Sequence, residues 1–131
     1  GKALIVGHIG KLVKMAGAIM NTHSSVADCR MEIIAAHSSL AGAESELVKK
    51  IMQCVTTDEA IEQLEKNGIC EAVMQGIMSK IQFHINYRVK AKLQTEVIMF
   101  SNNDKIIAKS ENADAFLKLF AEGNGDKSNE R

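Results

Sequence analysis

Residues 3–20, ALIVGHIGKLVKMAGAIM, place an apolar run directly before two closely spaced glycines and then a helix-periodic segment. Residues 3–6 read as a short strand and Gly7-His8-Ile9-Gly10 as a turn. Leu12, Met15, Ala16 and Ile19 then recur at the spacing of one buried helical face. Strand, glycine turn and helix in succession is where α/β proteins bind ligands. Gly7 and Gly10 are free to take positive φ and to bring backbone close to a ligand, and the helix start offers unpaired N–H groups. Lys11 and Lys14 add positive charge, so the corner suits anionic oxygens.

The chain continues as Asn21-Thr22-His23-Ser24-Ser25, a helix break, into a second helix with apolar positions Val26, Cys29, Ile33, Ala36 and Leu40. Ser24 or Ser25 serves as its cap. One serine is enough for a cap, so helix chemistry leaves the remaining Asn21, Thr22 and His23 unexplained. They are candidates for the same cavity as Gly7 and Gly10.

The stretch from Gly7 to His37, GHIGKLVKMAGAIMNTHSSVADCRMEIIAAH, closely resembles the signature region of the CbiD-type cobalt-precorrin-5B C(1)-methyltransferases of anaerobic cobalamin biosynthesis. It joins a VGH-x-GK-LVK-x-A block to an NTHS-x-VAD-x-R-x-EI block, and the looser helices and final strands fit that family's C-terminal part over residues 2 to about 120. The resemblance implies transfer of a methyl group from S-adenosylmethionine to ring carbon C-1 of a cobalt-corrinoid precursor, the cobalt belonging to the substrate. Members of the family are much longer. The chain is therefore expected to be roughly their last third, a C-terminal domain that is inactive alone and whose partner is an N-terminal domain. An alternative is a non-catalytic substrate-binding or assembly module, with the methyl-donor site in the N-terminal part.

The implied acceptor bears many carboxylates, which suits Lys11 and Lys14 as anchors with Asn21, Thr22 and Ser24 as neutral hydrogen-bond partners. His8 or His23 would move a proton as the macrocycle rearranges. The resemblance favours Asp28 and Arg30 for holding the site together, although both also fit an ordinary charged helix face. His37 and His84 read as structural. No H-x-x-x-H spacing or cysteine pair accompanies His8 and His23, so no protein-bound metal is expected. Gly7–Leu12 lacks the spacer and the Ser or Thr of a P-loop, and no third glycine completes a dinucleotide fingerprint.

Sixteen basic and sixteen acidic residues cancel in a 131-residue chain, so no overall field favours nucleic acid or an anionic membrane. Three cysteines, Cys29, Cys54 and Cys70, lie on apolar helical faces without a C-x-x-C pair, which suits core positions in a reducing compartment. No run approaches the ~20 apolar residues of a membrane span, and the start does not resemble a signal peptide. A cytoplasmic protein is the expectation.

Farther along, Leu47, Val48, Ile51, Met52 and Val55 mark a third helix, and Thr56-Thr57-Asp58-Glu59 reads as a capping box opening a fourth. Gly68 ends that helix. Ile69, Val73, Ile77, Ile81 and Ile85 then step along one face of a longer one. Residues 96–100 and 106–109 suggest a hairpin around Asn102-Asn103-Asp104. Asn112 is the cap of a last helix closed by Gly123, and residues 124–131 are expected to be a disordered tail. The fold class is α/β, one domain over residues 1–123, with a small sheet of two to three strands covered by five or six helices. Residues 3–6 and 96–100 would be parallel as neighbours, the helices between them being the crossover. An exposed edge at residues 3–6 would pair with more strands of the N-terminal part or with a second copy in a homodimer.

Overall fold

A computed structural model describes residues 1–23, 28–89 and 92–123. Strand β1 (Lys2–His8) and strand β2 (Gln94–Phe100) run parallel, with Leu4 opposite Glu96 and His8 opposite Phe100. Strand β3 (Ile106–Lys109) returns antiparallel to β2, with Met99 opposite Ala108, so the sheet order is β1-β2-β3. Between the parallel strands run α1 (Ile9–Leu12), α2 (Arg30–Leu40), α3 (Ser45–Gln53), α4 (Thr57–Lys66) and α5 (Cys70–Val89), and α6 (Ala113–Gly123) closes the chain. The mixed sheet and its helices make the small α/β domain that the hydrophobic pattern implies, and the predicted tail lies outside the described residues.

Alternation along β2 divides its side chains between two faces. Val97 and Met99 join the main core with Ile77 and Ile81 of α5, Ile34 of α2 and Ile9 and Val13 beyond β1. Ile98 is also buried but stands outside that cluster. Helix α6 packs on β1 and β2 and buries Ala113 and Phe116. Glu96 is buried as well, where its Oε1 accepts from the Ser110 hydroxyl at 2.8 Å and the Asn112 N–H at 2.9 Å. A carboxylate just ahead of α6 thus ties the start of that helix to the central strand.

The capping chemistry follows the sequence closely. Thr56 Oγ1 accepts from the Glu59 N–H at 3.2 Å and donates to the Glu59 carboxylate. Gly68, at φ +70°, closes α4 with its N–H on the Glu65 carbonyl, and the Ile69 N–H reaches the Leu64 carbonyl. That paired closure is a Schellman motif, which needs the left-handed residue that glycine supplies at no steric cost.

Four local expectations are corrected. Gly7 and His8 belong to β1 and are not turn residues, because both stay in register with β2 as far as Phe100. The helix read after Gly10 is one α-turn that tightens into a 3₁₀ segment over Val13–Gly17, stopped by Ala18 at φ 64°. On α2 the buried residues are Met31, Ile34, Ala35 and Ser38, whereas Leu40 is 81% exposed and Ala36 faces solvent. Apolar residues surround that helix, so periodicity alone does not select a face. Val55 lies beyond the end of α3 and is exposed. The three cysteines are free thiols of intermediate burial, and Cys54 and Cys70 pack against the core.

His37 on α2 is half-buried, and burial first, then the Lys80 ammonium, holds its pKa below the ordinary 6.5. A base whose folded pKa is depressed binds its proton less readily when folded, so stability is full above 6.5 and declines as pH falls below it. Thermal unfolding between pH 7.5 and 5 should therefore show the wild-type midpoint falling faster than that of His37→Gln. Parallel curves would remove His37 as the cause.

Candidate functional site

The C-terminal ends of β1 and β2 lie side by side, the position where α/β sheets place ligands. A cleft of about 510 Å³ opens there. The end of β1 and the turn after it contribute His8, Gly10, Lys11 and Lys14 to its wall. Thr22, His23 and Arg30 line it from the segment leading into α2. Thr56, Thr57 and Asp58 stand at the start of α4, and Asn102 follows β2.

His8 caps α1, its Nδ1 accepting from the Gly10 N–H at 2.9 Å. An Nδ1 that accepts is unprotonated, so the proton sits on Nε2, 3.0 Å from Asn102 Oδ1. Asn102 Nδ2 in turn donates to the Asp58 carboxylate. The His8 and Phe100 rings meet edge to face, their centroids 5.7 Å apart and their planes nearly perpendicular.

Lys14 is buried to 1% exposure, yet its Nζ reaches the cleft and donates to the Thr22 carbonyl at 3.0 Å. Lys11 stands at the same mouth and is exposed. Arg30 is oriented by Asp28 through two parallel contacts, Nε to Oδ1 at 2.9 Å and Nη2 to Oδ2 at 3.2 Å. The Arg30 hydrogen bond holds the Asp28 carboxyl below its ordinary pKa, and Asp28 raises that of Arg30. Three cations, Lys11, Lys14 and the Asp28-paired Arg30, therefore line the cleft beside the carboxylate of Asp58.

Of the residues expected at the site, His8, Gly10, Lys11, Lys14, Thr22, His23 and Arg30 converge on this cleft. Asp28 is not in the cleft wall and touches it only through Arg30. Asn21 is not in the cleft wall, and its Oδ1 instead accepts from the His23 N–H at 3.2 Å, a local turn. Gly7 is also outside it, and Ser24 lies outside the described residues; neither Ser24 nor Ser25 is the cap of α2, which begins at Arg30 with Cys29 at its N-cap and no side-chain cap bond. Neither Gly7 nor Gly10 has positive φ. Space is the reason for glycine at both: an added Cβ would come within 3.0 Å of Leu12 Cγ at Gly7 and of His8 Nδ1 at Gly10. Gly10→Ala should therefore displace the His8 ring, lowering the thermal midpoint and shifting the His8 ring resonances. An unchanged ring environment would show that the turn absorbs the methyl.

Thr56, Thr57, Asp58 and Asn102 were not expected at the site. Their signal was present: a capping box needs Thr56 and Glu59 only, so Thr57 and Asp58 were surplus polar groups at a helix start, as Asn21–His23 were at the helix break. Among the described residues no group of three or more His, Cys, Asp or Glu side chains is arranged to hold a metal ion, and no helix is long and apolar enough to cross a membrane.

A mixed three-stranded sheet with a cleft lined by Lys11, Lys14 and Arg30 beyond its parallel strand ends defines a small α/β domain with a strand-end cleft. The family described as "CbiD, C-terminal domain" matches residues 21–111. The chain belongs to this family. A cobalt-precorrin-5B C(1)-methyltransferase of Ruminiclostridium cellulolyticum is 52% identical over 99 residues, covering 76% of this chain and 26% of that protein. Proteins of the same name from Clostridioides difficile and Methanocaldococcus jannaschii are 38% and 47% identical, over 91% and 66% of this chain and 30% and 24% of their own lengths. The chain thus spans about a quarter to a third of the relatives it matches. No solved structure matches it significantly.

Proposed function

We propose that the chain is the C-terminal domain of a cytoplasmic cobalt-precorrin-5B C(1)-methyltransferase, contributing the cleft that grips carboxylate arms of the corrinoid acceptor. The observation that carries this reading is the convergence of Lys11, Lys14 and Arg30 beyond the ends of two parallel strands. Carboxylates match these donors in charge and geometry, and a macrocycle with several acidic arms gains from each one held. A cleft of about 510 Å³ takes an arm and an edge of such a ring, leaving the reacting face toward the rest of the full-length protein.

The methyl donor, S-adenosylmethionine, fits this cleft poorly. Adenine calls for a broad aromatic or apolar face, and beyond the small imidazoles of His8 and His23 the described lining has no aromatic ring; Asp58, its one carboxylate, is engaged by Asn102. The module reading follows: the acceptor side lies here, and the donor site belongs to the N-terminal part of the full-length enzyme, with the chain inactive alone. Of the two histidines considered for proton transfer, His8 has both ring nitrogens engaged within the protein, which argues against it as the proton carrier. The outer edge of β1 is the natural seam with the N-terminal part or, in a homodimer, with a second copy.

Calorimetric titration tests the reading with three probes: a cobalt corrinoid bearing free carboxylates, the same corrinoid fully esterified, and S-adenosylhomocysteine. Binding of the free acid alone is expected. Equal binding of acid and ester would overturn the carboxylate cleft, and binding of S-adenosylhomocysteine would move the donor site into this domain.

A further inference from the structure

The hydrogen-bond chain from Gly10 through His8 and Asn102 to Asp58 joins three segments that are distant in sequence. His8 ends β1, Asn102 occupies the short 3₁₀ turn after β2, and Asp58 lies in the first turn of α4. We infer that Asp58 and Asn102 are positioning residues that hold His8 as the neutral Nε2–H tautomer, making His8 a fixed wall of the cleft and not its proton carrier.

Each link has one allowed direction. The Gly10 N–H only donates, so His8 Nδ1 must accept, and the remaining ring proton lies on Nε2. Nε2–H needs an acceptor, which Asn102 Oδ1 supplies, and the Asn102 amide then directs its N–H₂ at the carboxylate of Asp58. An ionised carboxylate accepts only, so it sets the amide orientation and, through it, the ring. Gly10 belongs to the same device, because a side chain there would strike the Nδ1 side of the ring at 3.0 Å. Phe100 limits rotation with its edge-on contact.

The arrangement accounts for Asp58, a carboxylate in an otherwise cationic cleft, as the terminal acceptor of the chain. It also keeps Lys11, Lys14 and Arg30 as the groups presented to a ligand. A fixed, neutral ring adds no charge of its own to the cleft wall. This consequence for binding rests on the carboxylate reading of the cleft, whereas the state of the ring does not.

Nitrogen-15 NMR of the imidazole rings in the ligand-free chain tests the inference at neutral pH. Wild type is expected to show His8 as one Nε2–H tautomer with an exchange-protected ring proton. Asn102→Ala and Asp58→Ala should both lose that protected signal, with backbone amide spectra unchanged away from the cleft. Asp58→Asn, whose side-chain oxygen still accepts from Asn102, should restore it. A His8 ring carrying its proton on Nδ1, or a protected signal that survives Asn102→Ala, would overturn the assignment. If Asn102→Ala does not fold, Asp58→Ala and Asp58→Asn decide the question alone. Because the readout needs no ligand, it fails or succeeds separately from the corrinoid titration.

Discussion

Lys14→Met is expected to weaken binding of a polycarboxylate corrinoid by about 10- to 150-fold while leaving stability within about 1.5 kcal/mol of wild type. The binding figure is the loss of one charge-assisted hydrogen bond, about 1.5–3 kcal/mol. The stability figure follows from shape. Lys14 is 1% exposed, and an unbranched apolar side chain of similar length fills the same space. Taking a buried ammonium out of the interior relieves its desolvation, which offsets the lost bond to the Thr22 carbonyl. Parallel corrinoid titrations and denaturant unfolding check both halves. A large stability loss with unchanged binding would make Lys14 a strut for residues 19–23 and not a ligand contact.

Ile77→Ala is expected to cost about 2–5 kcal/mol, the range for truncating a large aliphatic side chain in a closed core. Ile77 is fully buried in the cluster that α5 shares with the sheet. For a domain of this size such a loss is a large share of the usual total of about 5–15 kcal/mol. Leu40→Ala removes the same number of carbons from an 81% exposed position and should stay within about 0.5 kcal/mol of wild type. Urea unfolding of the two variants side by side measures which faces of α5 and α2 are interior. Comparable losses would mean that Leu40 is covered in solution.

The legibility of the fold differed from helix to helix for a physical reason. On α5 the isoleucines at positions 77, 81 and 85 are the buried ones, so a stripe read from spacing is the stripe that packs. On α2 Met31, Ile33, Ile34 and Ala35 leave no polar side wide enough to orient the helix, and α3, α5 and the turn after α1 settled which residues went inside. Caps were legible wherever one residue type is nearly obligatory, as at Thr56 and Gly68. The end of β1 was misread because glycine signals both turn and close packing. Register with β2 carries the strand through Gly7, and Leu12 occupies the space that a side chain there would need.

The same division holds for the site. The sequence by itself determined the α/β class, the hairpin, the two capped ends of α4 and the residues His8, Gly10, Lys11, Lys14, Thr22 and His23, because local propensity and surplus polar groups act over a few neighbouring positions; Arg30 was singled out only by the family resemblance. Only the tertiary structure decided that Asp58 and Asn102, 44 positions apart, meet each other and His8, and that Asn21 turns back on its own backbone. Parallel pairing of β1 with β2 makes the difference. It brings two strand ends separated by the whole helical crossover to one edge of the sheet, and no local pattern encodes which side chains face each other across that edge.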